Sequence, residues 1–219
     1  VICEVGPPQL CTDNPKQRDK DEPLRICWSG QHLPGKALPL LLRAVAHLPK
    51  DFKYTLEILG DGPCRQSWRS LACKLKIDAH CHWHGWLPRD QSLAVMKESH
   101  VFTITSLKDL TSSVAVEALS LGLPIVSLDH CGFADLVTDE CGIKVRPEST
   151  ERIITELTDA LSTLYHNEPL RLRLAEGAIC RSRTYSWEAK MATLDEIYRM
   201  TVMPGVIRTG DTLYRVTAE

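Results

Sequence analysis

From Leu24 to Val145, short β-rich apolar runs alternate with longer amphipathic stretches. LRICWS (24–29), YTLEILG (54–60), HCHWHG (80–85), HVFTITS (100–106), LPIVSLD (123–129) and GIKV (142–145) have the composition of strands. Between them, KALPLLLRAVAHL (36–48), residues 65–76, DQSLAVMKE (90–98), residues 112–121 and a short piece near 133–138 carry helical spacing. Pro39 fits the first of these helices because first-turn amides have no intrahelical partner. Strands that alternate with helices are joined by right-handed crossovers into a parallel sheet covered on both faces. The pattern therefore predicts an α/β, doubly wound parallel sheet over 23–150, C-terminal helices of the same lobe over 151–202, and a tail over 203–219. Residues 1–22, with the charged, proline-punctuated stretch TDNPKQRDKDEP running into β-rich sequence, read as a linker from an upstream domain that this sequence does not include.

Bulk properties exclude several classes of function. At 43% apolar the chain can bury a core, so disorder is excluded. A net charge of −2 lacks the basic footprint of a nucleic-acid binder, so no nucleic acid is expected as a partner. No apolar run approaches the ~20 residues that span a bilayer, and no signal peptide opens the chain. Nine scattered cysteines, odd in number and without a repeated CxxC, suit reduced thiols in a cytoplasm. Among them, Cys131 and Cys141 read as small buried residues. His80, His82 and His84 alternate onto one face of a predicted strand, but their spacing differs from that of structural zinc sites and fits a sheet-edge or packing role. The basic face of helix 65–76 reads as solvated, with peripheral contact at a membrane as the alternative.

In open parallel sheets, ligands bind beyond the carboxyl ends of the strands. There the sequence places GQHLPGK (30–36), GDGP (60–63), GWLPRD (85–90), LKDLTSS (107–113) and DHCGFAD (129–135). The stretch DLTSSVAVEALSLGLP (109–124) holds two acids, Asp109 and Glu117, around a predicted helix start capped by Thr111 or Ser112. Such a helix N-terminus welcomes a phosphate. Glu117 lies about 7–8 Å further along the helix at 1.5 Å per residue, so the two acids flank the phosphate instead of touching. A nucleotide sugar, with hydroxylated rings on both sides of a pyrophosphate, fits that arrangement, and Lys36, opening the first helix, is placed to neutralise its charge. A metal is disfavoured, because no second acid stands close by in a DxD spacing. The plainer readings are an ordinary helix carboxylate for Glu117, a loop or capping residue for Asp109, and a first-turn lysine for Lys36.

GQHLPGK, GDGP, HGWLPRD, SLKDLTSSVAVEALSLGLPIVSLDHCGFADLV and YSWEAKMATLDEIY occur in order over residues 24–190. This region resembles the carboxy-terminal, donor-binding lobe of retaining GT-B glycosyltransferases of family 4 (glycosyltransferase group 1), which implies a Rossmann-like lobe. By that resemblance Glu117 grips the ribose hydroxyls and Asp109 stands where the first glutamate of the family's paired acids contacts the transferred sugar. The backbone of Leu110, Thr111, Ser112 and Ser113 holds the diphosphate with Lys36, Gly30 and Gln31 line the same site, and the turn Gly85 to Leu87 borders the base. Lys36 and Asp109 are the implied catalytic residues. Two departures stand out: Asp109 is one methylene shorter than the family's glutamate, and Gln31 replaces its arginine. Arg65 and Arg89 are candidate substitutes, with a solvated role as the alternative. Asp135 matches an acidic position near the donor sugar, in competition with plain helix capping.

The resemblance implies transfer of a sugar from a UDP-sugar or GDP-sugar to an acceptor glycan, lipid or other molecule, in surface polysaccharide or glycoconjugate synthesis. It implies no cofactor and no metal. The acceptor would be bound by the lobe that this sequence lacks, so the chain alone is expected to bind donor without turnover. A cytoplasmic protein is expected, with the inner face of the membrane as a variant. The alternative is a non-catalytic nucleotide-sugar sensor or scaffold domain, which Gln31 and Asp109 would suit.

Overall fold

The computed structural model describes residues 14–109, 112–202, 206–209 and 212–215. In chain order the body contains β1 (Leu24–Ser29), α1 (Leu38–Ala46), β2 (Tyr54–Leu59), α2 (Arg65–Lys74), β3 (Cys81–Gly85), α3 (Arg89–Lys97), β4 (Val101–Ile104), α4 (Ser113–Ser120), β5 (Ile125–Leu128), α5 (Gly132–Leu136) and β6 (Gly142–Val145). Three helices follow, α6 (Thr150–His166), α7 (Glu168–Arg183) and α8 (Trp187–Val202). Within the stretch expected to be a tail, β7 (Val206–Thr209) and β8 (Thr212–Arg215) pair antiparallel.

Six strands form one parallel sheet in the order β3-β2-β1-β4-β5-β6. This is the doubly wound arrangement that the alternation predicts, and its strand order is Rossmann-like, as the resemblance implies. Every residue of β4 and β5 is buried, as expected for central strands covered on both faces. Side-chain alternation on β1 divides the core in two: Ile26 and Trp28 join Leu41, Leu42, Leu157 and Leu161 on one side, while Cys27 joins Phe102, Leu119, Ile125 and Ala178 on the other. Each fully buried leucine contributes roughly 1.5–3 kcal/mol to this packing.

The long helices are capped by their own sequence. Ser149 accepts the Arg152 amide at the start of α6, and Asn167, between α6 and α7, accepts the Leu170 amide. Helix α7 lies so close to the β5–β6 connection that a Cβ on Gly177 would fall 1.8 Å from the Glu140 carbonyl oxygen, so only glycine fits there. Residues 16–22 are tied to this end of the body. Arg171, 1% exposed, donates to the carbonyls of Lys16 and His100 and pairs with Glu168, whose carboxylate also accepts the Arg18 amide.

Three expectations require correction. Lys36 does not open α1: it ends a 3-10 turn (Pro34–Lys36), Ala37 follows at φ 47, and α1 begins at Leu38. Pro39 explains the break, because its ring excludes the carbonyl four residues back and it has no N–H to offer Gly35. His80 lies in a 3-10 turn (Asp78–His80) before β3, so only His82 and His84 share a strand face, where both bond Glu57. Cys131 is exposed, sitting at φ 55 in the turn that enters α5, whereas Cys141 is buried as expected.

Candidate functional site

The strand order reverses between β1 and β4, and the loops that leave these strands define the crevice where open α/β sheets take ligands. Gly35, released from helical bonding by Pro39, accepts the Leu107 amide at 2.8 Å and so joins the two loops. Thr105, fully buried at the end of β4, reinforces the join: its hydroxyl accepts the Trp28 indole N–H at 3.0 Å and donates to the Lys36 carbonyl at 2.8 Å. The Lys36 backbone is thereby fixed, and its ammonium forms an ion pair with the Asp109 carboxylate. The two side chains are only 27% and 21% exposed, so bulk water screens the pair incompletely.

On the other side of β1, three loops are stitched together through their main chains. Gly30 donates to Leu59, His32 to Asp61, Cys64 to His32, and Gly60 to Gly85. Gly60 sits at φ 109, and a Cβ there would fall 2.0 Å from the Gly30 carbonyl oxygen. The ring of His32, 1% exposed, lies among Trp28, Trp68 and Trp83. Burial pushes its pKa down from the ordinary histidine value, against the nearby Asp61 carboxylate. His32 gives no sequence signal of its own, because the aromatic residues around it come from three separate elements.

Glu117 lies on α4, its side chain 16% exposed, and its carboxylate accepts from Arg89 at 2.8 Å. Arg65 pairs with Asp61 at 2.7 Å, and its guanidinium borders the turn at Gly85, which has φ 72. The Gly62 amide, followed by Arg65, holds the Asp61 carboxyl below its ordinary range. Thus each cation considered as a replacement for the missing arginine is held by a carboxylate, one of them the carboxylate of Glu117. Gln31 is exposed, and Leu87 packs partly buried against the core of the sheet's α4 side. Ser112 occupies the N-cap position of α4 with no capping bond from its side chain, and Ser113 begins the helix. Leu110 and Thr111 lie outside the described residues. Asp109 and Glu117 share no hydrogen bond, each having its own cation.

The loop after β5 touches the same crevice. His130 Nε2 donates to the Leu107 carbonyl at 2.7 Å, which leaves Nδ1 to accept the Cys131 thiol at 3.1 Å. This bridge joins residues that the sequence pattern left unconnected. Asp135 is exposed on α5. Among the described residues, no three His, Cys, Asp or Glu side chains converge on a metal-binding arrangement. The crevice thus offers one ammonium, Lys36, paired with Asp109, and a second acid, Glu117, paired with Arg89 on the helix that follows the loop.

Comparison with known proteins agrees with this architecture. The D-inositol 3-phosphate glycosyltransferase of Corynebacterium glutamicum (strain R) is 26% identical over 181 residues, which cover 79% of this chain and 42% of the relative. That of Rhodococcus jostii (strain RHA1) is 30% identical over 188 residues, 81% of this chain and 40% of the relative. The chain thus spans about two fifths of the length of these relatives. Among solved structures, the lipopolysaccharide outer core galactosyltransferase WaaB superposes with a TM-score of 0.77 at 17% identity, over 91% of this chain and 55% of that one. Anabaena HepE, solved in complex with UDP-glucose, superposes with a TM-score of 0.70 at 18% identity, over 83% and 50%. These two likenesses show the shared fold, that of one lobe of a GT-B glycosyltransferase. The family described as glycosyl transferases group 1 matches residues 12–180, a span that holds both the sheet and every loop of the crevice, and the chain belongs to that family.

Proposed function

We propose that this chain is the donor-binding lobe of a retaining, metal-independent glycosyltransferase of family 4, acting on a UDP-sugar or GDP-sugar in the cytoplasm. The observation that carries the reading is the meeting of Lys36 and Asp109 at the switch point of the sheet, with Glu117 on the helix that follows. Lys36 and the N-terminus of α4 receive the diphosphate, Asp109 takes hydroxyls of the transferred sugar, and Glu117 takes those of the ribose. HepE, which shares the fold, was solved with UDP-glucose, and this supports a nucleotide-sugar donor. The relatives act in inositol phosphate and lipopolysaccharide glycosylation by name, which favours surface glycoconjugate synthesis as the setting.

In the reaction, negative charge builds on the leaving diphosphate as the glycosidic bond breaks. Lys36, carried on a backbone held by Thr105, and the α4 dipole stabilise that charge. In a front-face displacement the departing phosphate oxygen accepts the proton of the acceptor hydroxyl, so the configuration at the anomeric carbon is kept.

Calorimetric titration with UDP, GDP and their common sugar conjugates, without added metal, tests the reading. Binding weakened by about 1–3 kcal/mol in Glu117→Ala, the scale of a lost charged hydrogen bond, is the expected result. Equal binding by the variant would remove Glu117 from the site.

A further inference from the structure

We propose that Asp109 makes this site prefer a sugar-bearing nucleotide over the bare nucleoside diphosphate, by serving as the resident counter-ion of Lys36. The inference rests on the donor-site reading above and goes beyond it, since it assigns the ion pair itself a task.

The Lys36 carbonyl is held by Thr105, and its loop is held by the Gly35–Leu107 bond, so a single ammonium on an anchored backbone serves both Asp109 and any phosphate. The other two cations considered for the phosphate, Arg65 and Arg89, are engaged by Asp61 and Glu117. A bare nucleoside diphosphate therefore brings its charge up against the Asp109 carboxylate and competes with it for one ammonium. The displaced carboxylate then has an anion beside it and gains no donor in exchange. A nucleotide sugar changes this balance, because its hydroxyls donate to Asp109 as Lys36 turns to the phosphate. The same carboxylate that opposes the diphosphate alone thus supports it when the sugar is attached. Once the sugar has been transferred, the hydroxyls leave with it and the carboxylate again competes for Lys36, which favours release of the spent diphosphate.

The test is calorimetry on the chain with UDP, UDP-glucose, GDP and GDP-mannose, comparing the unaltered protein with Asp109→Asn and Asp109→Ala. Removing the carboxylate charge should tighten the bare diphosphate by about 5- to 10-fold, the scale of a partly screened charge contact, and should cut the preference for the sugar conjugate by at least the same factor. In a Lys36→Met background, Asp109→Asn should no longer tighten the diphosphate. Unchanged or weaker diphosphate binding in both Asp109 variants, with the sugar preference intact, overturns the counter-ion role and leaves the donor site standing. No binding of any of the four nucleotides by any of the proteins defeats the donor-site reading, and this inference with it. Thermal unfolding of each variant verifies that the fold is retained.

Discussion

The ammonium of Lys36 and the carboxylate of Asp109, 73 residues apart in sequence, are paired across the point where the strand order reverses. Neither residue sits on an α-helix or a strand. Lys36 ends a 3-10 turn, and Asp109 lies in the loop between β4 and α4. Their meeting is produced by the buried scaffold beneath them, and that scaffold is the place to perturb.

Thr105→Val keeps the shape of the side chain but removes both hydroxyl bonds, leaving the Trp28 indole N–H and the Lys36 carbonyl without their partner. The expected loss is about 1–3 kcal/mol in urea unfolding, the cost of unsatisfied buried polar groups. Thr105→Ser, which keeps the hydroxyl, should recover most of it. A role in placing Lys36 predicts in addition that Val weakens nucleotide binding more than Ser does.

Stability should fall as the pH drops below about 6.5. His100 is fully buried, and its Nδ1 accepts the Arg25 amide at 3.1 Å. Burial first, and then the charges of Arg171, Lys16, Arg18 and Arg25, hold its pKa down to about 3, although Glu22 lies 3.6 Å from Nε2. The native state therefore keeps this ring neutral while the unfolded chain protonates it near 6.5. Below that pH the unfolded state binds the extra proton, and stability declines by up to about 1.4 kcal/mol per pH unit until the native ring titrates. His32, also lowered by burial, acts in the same direction. Urea unfolding between pH 7.5 and 5 should show this slope, and His100→Asn, which can still accept the Arg25 amide, should flatten it in part. An identical slope in the variant would remove His100 as its source.

Arg171→Ala should be among the most damaging changes far from the crevice. The guanidinium serves Glu168, the His100 carbonyl and the Lys16 carbonyl at once from a fully buried position. Its loss leaves a half-buried carboxylate and two carbonyls short of donors, at a cost of about 3–5 kcal/mol. Arg171→Lys should rescue little, because a single ammonium cannot reproduce the planar fork. Thermal unfolding of the two variants side by side checks this.

The order and type of the elements were legible because period-two and helical spacing are local properties. GIKV is a strand over the residues expected, and β1 runs over LRICWS. Boundaries failed where one residue outweighed the pattern: Pro39 cut α1 back to Leu38, and a tight turn took His80 out of β3. At the crevice, the spacing of Asp109 and Glu117 placed one acid in the loop and one on the helix, as found. Their cations were not legible. Arg89 reaches Glu117 from the first turn of α3, and that pairing depends on strand order, which no local spacing encodes. The ring of His32 and the bridge from His130 to Leu107 were hidden for the same reason.

The loops after β1, β2 and β3 lock one another through main-chain bonds and through glycines that admit no side chain, whereas the described part of the loop after β4 is joined to them through Leu107, Thr105 and one ion pair. The crevice is thus asymmetric in what it lets mutation change. One wall is a template that a single added methyl group would break; the other can be re-lettered at 107–109 while the sheet beneath it stays intact. A lineage altering what the crevice accepts would find its workable substitutions on that second wall.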